Sequence, residues 1–163
     1  MWWNGSNELR ACTYTDGEIV AEAAGMLEAR DRFWTALAGS TKVAAVLSGD
    51  EHEYHRLLVD NKTPVGVLAI DDKDGNDKLD DGQISPNPAF KHAIWHVTAG
   101  TAGAPYYARE KTPWEPVILS SQTGYCLFEA NQTKISMTFY TTSGQAVDFV
   151  DDLMAVKRAS LAP

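Results

Sequence analysis

Val43-Ala44-Ala45-Val46-Leu47 runs directly into Ser48-Gly49-Asp50-Glu51-His52-Glu53-Tyr54-His55-Arg56. Five apolar residues without alternation read as a short strand covered on both faces, as in the parallel sheet of an α/β unit. The polar stretch then sits at the carboxyl end of that strand, where open α/β sheets place their ligands. Gly49 lets the backbone turn sharply off the strand. In an extended loop, residues two apart point the same way, so Asp50 and His52 can converge on one point. A carboxylate and an imidazole together suit a first-row divalent metal such as Mn, Fe or Zn.

Upstream, Thr15-Asp16-Gly17-Glu18 offers a cap and early acidic residues for a helix. Ile19, Ala23, Met26, Leu27, Phe33, Trp34 and Leu37 follow at mainly three- and four-residue spacings, which predicts one amphipathic helix that ends at Gly39-Ser40. Downstream the pattern changes to short strands over 56–60, 65–70, 93–98, 117–120, 125–129, 134–140 and 146–150. Asn61-Lys62, the acidic stretch 71–82, Asn131-Gln132 and Ser143-Gly144 separate them as turns. Residues 151–159 read as a short closing helix or a frayed tail. One helix, one buried strand and then a run of β-strands make the expected fold class α+β, in one domain over residues 1–163.

The composition narrows the function classes. A chain of 163 residues can bury one core, and its 44% hydrophobic and 22% charged content is that of a globular protein. The formal charge of −8 argues against a phosphate-backbone binder, which needs clustered Lys and Arg. No apolar run approaches the ~20 residues that cross a bilayer, so no membrane partner is expected. Met1-Trp2-Trp3-Asn4-Gly5-Ser6 lacks the basic and apolar regions of a signal peptide. If the parent protein is secreted or periplasmic, its signal is expected outside these residues. Cys12 and Cys126 can pair, but two cysteines form no disulfide framework.

The loop and the segments beyond it resemble a known family. Calcineurin-like metallophosphoesterases, including the purple acid phosphatases, close their metal site with a Gly-His-x-His loop after a buried strand. In their secreted branches an aromatic residue and an Arg often continue that loop. Gly49-Asp50-Glu51-His52-Glu53-Tyr54-His55-Arg56 is similar to that loop, with Asp50 in place of the first His. His96-Val97-Thr98-Ala99-Gly100-Thr101-Ala102-Gly103-Ala104-Pro105-Tyr106 is similar to the strand and Gly-rich turn beyond the site, and 124–150 to the closing strands. The resemblance implies the C-terminal part of a four-layer α/β/β/α sandwich. It also implies phosphate-ester hydrolysis by water activated on one or two Mn, Fe or Zn ions. Asp50 and His52 would be metal ligands, while Gly49, Tyr54 and Arg56 would support the loop. Apart from Asp50-Glu51-His52, which belongs to this loop, the family's earlier motifs, Asp-x-His and Gly-Asn-His-Glu/Asp, do not occur in the sequence. This chain alone is therefore expected to be incomplete as a hydrolase of small phosphate esters. The sheet edge left by a missing half would favour a homodimer.

A second stretch supports a different class. Asp72-Lys73-Asp74-Gly75-Asn76-Asp77-Lys78-Leu79-Asp80 places oxygen ligands at alternate positions, with Asp72, Asp74, Asn76 and Asp80 as a candidate Ca²⁺ loop. Asp77 occupies the sixth position, where such loops need Gly, and Gln83 the twelfth, where they need a bidentate Glu. A solvated acidic hairpin tip explains the stretch as well. The alternative function is accordingly a non-catalytic β-rich module for calcium or partner binding. His55, His92 and His96 read as packed or hydrogen-bonded histidines.

Overall fold

The computed structural model describes residues 12–15, 18–21, 26–49, 52–62, 89–103, 105–106 and 117–162. Among the described residues the first elements are a two-stranded hairpin, β1 (Cys12–Thr15) and β2 (Glu18–Ala21), followed by helix α1 (Met26–Gly39). The expected helix thus starts later than its spacing suggests. Thr13, Thr15, Ile19 and Val20 are β-branched and stiff in a helix, and Asp-Gly between two such runs is a strong hairpin signal. β1 and β2 pair antiparallel with Thr15 opposite Glu18. From Met26 onward the good helix formers Met, Leu, Glu, Ala and Arg take over.

β3 (Ala45–Ser48), β4 (Tyr54–Val59), β5 (Ile94–Ala99) and β6 (Ile118–Ser120) form one sheet in the order β3-β5-β4-β6. β3 runs parallel to β5, and β4 is antiparallel to both β5 and β6. β7 (Gly124–Ala130), β8 (Ile135–Thr141) and β9 (Ala146–Val150) make an antiparallel meander, and α2 (Ala155–Leu161) ends the chain. The architecture is mostly β, of α+β class.

β3 differs from its expected setting. It is an outer strand of the described sheet, and Leu47 is 56% exposed. None of its residues is fully buried, so the continuous apolar run overstates the cover that this strand receives.

Side-chain alternation sorts the layers. Tyr54, Trp95 and Val97 of the first sheet meet Met137, Phe139 and Leu153 in one buried cluster. The Tyr54 and Phe139 rings stack 4.0 Å apart and nearly parallel, so the two sheets pack face to face. On the opposite face of the first sheet, His96 meets the fully buried Trp34 of α1 edge-on at 5.4 Å. Trp34 and Ala38 stand four residues apart and form the buried stripe of α1. α2 ties into this layer through Lys157, whose buried ammonium donates to the Ser40 carbonyl at 2.6 Å and the Leu37 carbonyl at 3.4 Å. A cation there suits the negative end of α1, where the Leu37 carbonyl also accepts from the Ser40 amide at 3.1 Å.

Two glycines are required by their surroundings. A Cβ at Gly124 would lie 2.2 Å from the Tyr140 carbonyl oxygen and 2.7 Å from the Phe139 ring. Gly103 has φ +104°, which side chains rarely adopt, in the turn after β5. The expected strand over 65–70 and the candidate calcium loop, Asp72, Asp74, Asn76 and Asp80, lie outside the described residues.

Candidate metal loop and its buried supports

Because β3 and β5 are parallel and adjacent, their carboxyl ends deliver two loops to the same end of the sheet. One follows Ser48 through Gly49 to His52, and the other follows Ala99 through Gly100 to Tyr106. The two touch at His52, whose Nδ1 donates to the Pro105 carbonyl at 2.5 Å. The Gly100 amide also donates to the Glu53 carbonyl at 3.1 Å. With Nδ1 carrying the proton, a neutral His52 keeps its lone pair on Nε2, the arrangement that metal-ligating histidines commonly use. Asp50, its expected partner, lies outside the described residues. Among the described residues no group of three or more His, Cys, Asp or Glu is placed to hold a metal. These residues therefore do not make up a complete metal site.

β4 leaves the loop and is fixed on both of its faces. Toward the second sheet, Asp148 of β9 accepts from Tyr54 Oη at 2.5 Å, from Arg56 Nε at 2.7 Å and from Arg56 Nη2 at 2.9 Å. Asp148, Arg56 and Tyr54 are all buried, and the guanidinium also lies 4.3 Å from the centre of the Trp95 ring. Burial works to raise the Asp148 carboxyl, but the hydrogen bonds from Arg56 and Tyr54 and the Arg56 charge outweigh it and hold it below the usual range. Burial and then the bond to Asp148 push the Tyr54 phenol far up, so it stays a donor. Cys126, a free thiol on β7, is pushed up to about 11 by burial and by the Asp148 charge. Tyr54 and Arg56 thus meet Asp148 in the interior.

Toward α1, five polar side chains join in a line. His55 Nδ1 meets Glu53 Oε1 at 2.8 Å, and His55 Nε2 meets Thr98 Oγ1 at 3.0 Å. Thr98 Oγ1 meets Ser48 Oγ at 3.0 Å, and Ser48 Oγ meets His96 Nε2 at 3.0 Å. Carboxylate, imidazole and hydroxyl in this order have the sequence of a nucleophilic relay. Here His55 and Thr98 are each 1% exposed, so no ester reaches the hydroxyl. Burial, and then His55 nearby, hold the His96 imidazole well below its ordinary range and keep it neutral.

Sequence patterns leave most of this out. Glu53 and His55 stand two apart, a same-face signal that is present in the sequence. Ser48 and Thr98 are pleat neighbours in parallel strands, a pairing that no local pattern carries. Asp148 is 92 residues from Arg56 and carries no local sign of its role.

A parallel strand pair with a ligand-type loop at its carboxyl end, followed by antiparallel closing strands, is consistent with the C-terminal portion of a metallophosphoesterase sandwich. Residues 93–149 match the model of the family described as iron/zinc purple acid phosphatase-like protein C. That stretch runs from the residue before β5 to within β9, so the resemblance of the C-terminal part to this family stands on sequence and fold together. Comparison with curated proteins and with solved structures gives no match.

Proposed function

We propose that this chain is the C-terminal portion of a metal-dependent phosphoesterase and supplies the closing loop of its metal site, with Asp50 and His52 as ligands. The observation that carries the reading is the meeting of two loops at the carboxyl ends of β3 and β5, with His52 oriented there by the Pro105 carbonyl. The family match over 93–149 supports it independently of the loop, because that stretch begins well beyond His52. A bound divalent ion would supply Lewis-acid activation of water toward a phosphate ester. The chain's own part is to hold one carboxylate and one imidazole at the carboxyl end of β3. The remaining ligands and the acid for the leaving group must come from elsewhere, so the chain alone is not expected to turn over substrate.

The test is metal content by elemental analysis after exposure to Mn, Fe or Zn, paired with hydrolysis of a chromogenic phosphomonoester and phosphodiester. We expect substoichiometric transition metal that His52→Ala abolishes, without turnover. Transition-metal binding that survives His52→Ala, or uptake of calcium alone, would sink the reading. Calcium alone would favour the β-rich module that uses Asp72, Asp74, Asn76 and Asp80.

A further inference from the structure

With Glu53 accepting and His55 neutral, the line of five polar groups beneath the loop has one consistent assignment of protons. Glu53 Oε1 then accepts from His55 Nδ1 across 2.8 Å. In a neutral His55 the other nitrogen, Nε2, then accepts, and Thr98 must donate its hydroxyl proton. The Thr98 oxygen is left to accept from Ser48, and the Ser48 oxygen to accept from His96 Nε2–H. The direction set at Glu53 thus runs through four hydrogen bonds and ends by fixing the tautomer of His96. The far end agrees with this order. His96 Nδ1 is buried without a hydrogen-bond partner among the described residues, and the assignment makes it a bare lone pair and not a stranded N–H. An under-used acceptor is the less costly group to bury.

The chain's placement gives it a role. Ser48 is the last residue before the loop, and Glu53 is the first after His52. Thr98 bridges the two sides from the middle of the sheet, so both ends of residues 49–52 are fastened to β5 through one hydroxyl. We propose that Ser48, Thr98 and His55 are positioning residues, joined with Glu53 and His96 in one directional hydrogen-bond chain that clamps both ends of the loop bearing Asp50 and His52. The clamp rests on the reading of 49–52 as a ligand loop. Its test reads imidazole tautomers and needs no metal.

Long-range ¹H–¹⁵N NMR on the histidine-labelled chain reads which nitrogen of each ring carries the proton. The expected result is Nδ1–H for His55 and Nε2–H for His96, in the chain without metal. Thr98→Val keeps the shape and removes the hydroxyl. It should mix the His96 tautomers, split or broaden the His52 signal, and speed exchange of the Gly100 amide by roughly tenfold or more. Thr98→Ser should restore all three. His96 protonated at Nδ1 in the unmodified chain, or His55 at Nε2, overturns the ordering without any variant. A changed His96 tautomer in Thr98→Val with His52 and Gly100 unmoved overturns the positioning role. Failure to bind metal with the tautomers as assigned would count against the proposed function and leave the clamp standing.

Discussion

Removing the Asp148 carboxylate should be the most damaging single change on β9. The carboxylate is 8% exposed and accepts three hydrogen bonds, two of them from a guanidinium that is itself 7% exposed. Asp148→Ala leaves a buried cation without its counter-charge and a buried phenol without its acceptor. Breaking a buried ion pair from one side costs about 3–5 kcal/mol, against a total stability of about 5–15 kcal/mol for an ordinary domain. With a urea slope of about 2 kcal/mol per molar, the unfolding midpoint should fall by about 1.5–2.5 M. Asp148→Asn keeps the shape and one acceptor and should fall between the two. The low carboxyl pKa adds a pH arm to the assay. A depressed folded value means that the stabilisation is complete above the unfolded value of about 3.9 and is lost as pH falls through the lower folded value. The gap between the unmodified chain and Asp148→Asn should therefore close only below about pH 4. A midpoint shift under about 0.5 M for Asp148→Ala, or a gap that is already closed at pH 5, would refute the account.

Gly124→Ala should destabilise by about 1–3 kcal/mol or prevent folding, because the new Cβ meets a backbone oxygen that cannot step aside; thermal melting of the purified variant measures it. Lys157→Met keeps the apolar stem and removes the close donor to the Ser40 carbonyl, and should cost about 1–3 kcal/mol in urea unfolding. An unchanged midpoint would mean that the Ser40 carbonyl finds another donor. His96 should impose a pH slope. Its folded value is depressed, so the unfolded chain takes up a proton near 6.5 while the folded chain does not, and stability should fall as pH drops below about 6.5. His96→Gln should flatten that part of the stability–pH curve, and an unaltered slope would assign it to another group.

How much of the molecule is legible in the sequence depends on the range of the physics involved. Strands from β4 onward are legible within a residue or two because alternation and turn residues act locally: 146–150 is β9 as read, and 125–129 lies inside β7. The start of α1 is not, because Ile19 fits a helical stripe as well as it fits a strand, and only its β-branched neighbours decide between them. The loop of Asp50 and His52 is visible as a motif, and the structure adds the Pro105 carbonyl that orients His52 from 53 residues away. Polar pairs made across the sheets are invisible, since Asp148 and Thr98 look like ordinary strand residues until β8–β9 and β3–β5 pairing sets them beside Arg56 and Ser48.

The two buried polar groups divide the support of the loop between them. Alternation along β4 sends Tyr54 and Arg56 to Asp148 in the second sheet and His55 to Thr98 on the α1 side. The ionic group fastens one sheet to the other, so its loss should appear in global stability. The hydrogen-bond chain joins groups within the first sheet and brackets four residues of loop, so its loss should appear in local opening at Gly100 and His52 first. Asp148→Asn and Thr98→Val should accordingly separate the two effects. The first should lower the unfolding midpoint with the histidine tautomers intact, and the second should disturb the tautomers with a smaller change in midpoint. If both variants moved both readouts in proportion, β4 would act as one rigid unit, and the division between fold support and loop support would have no physical content.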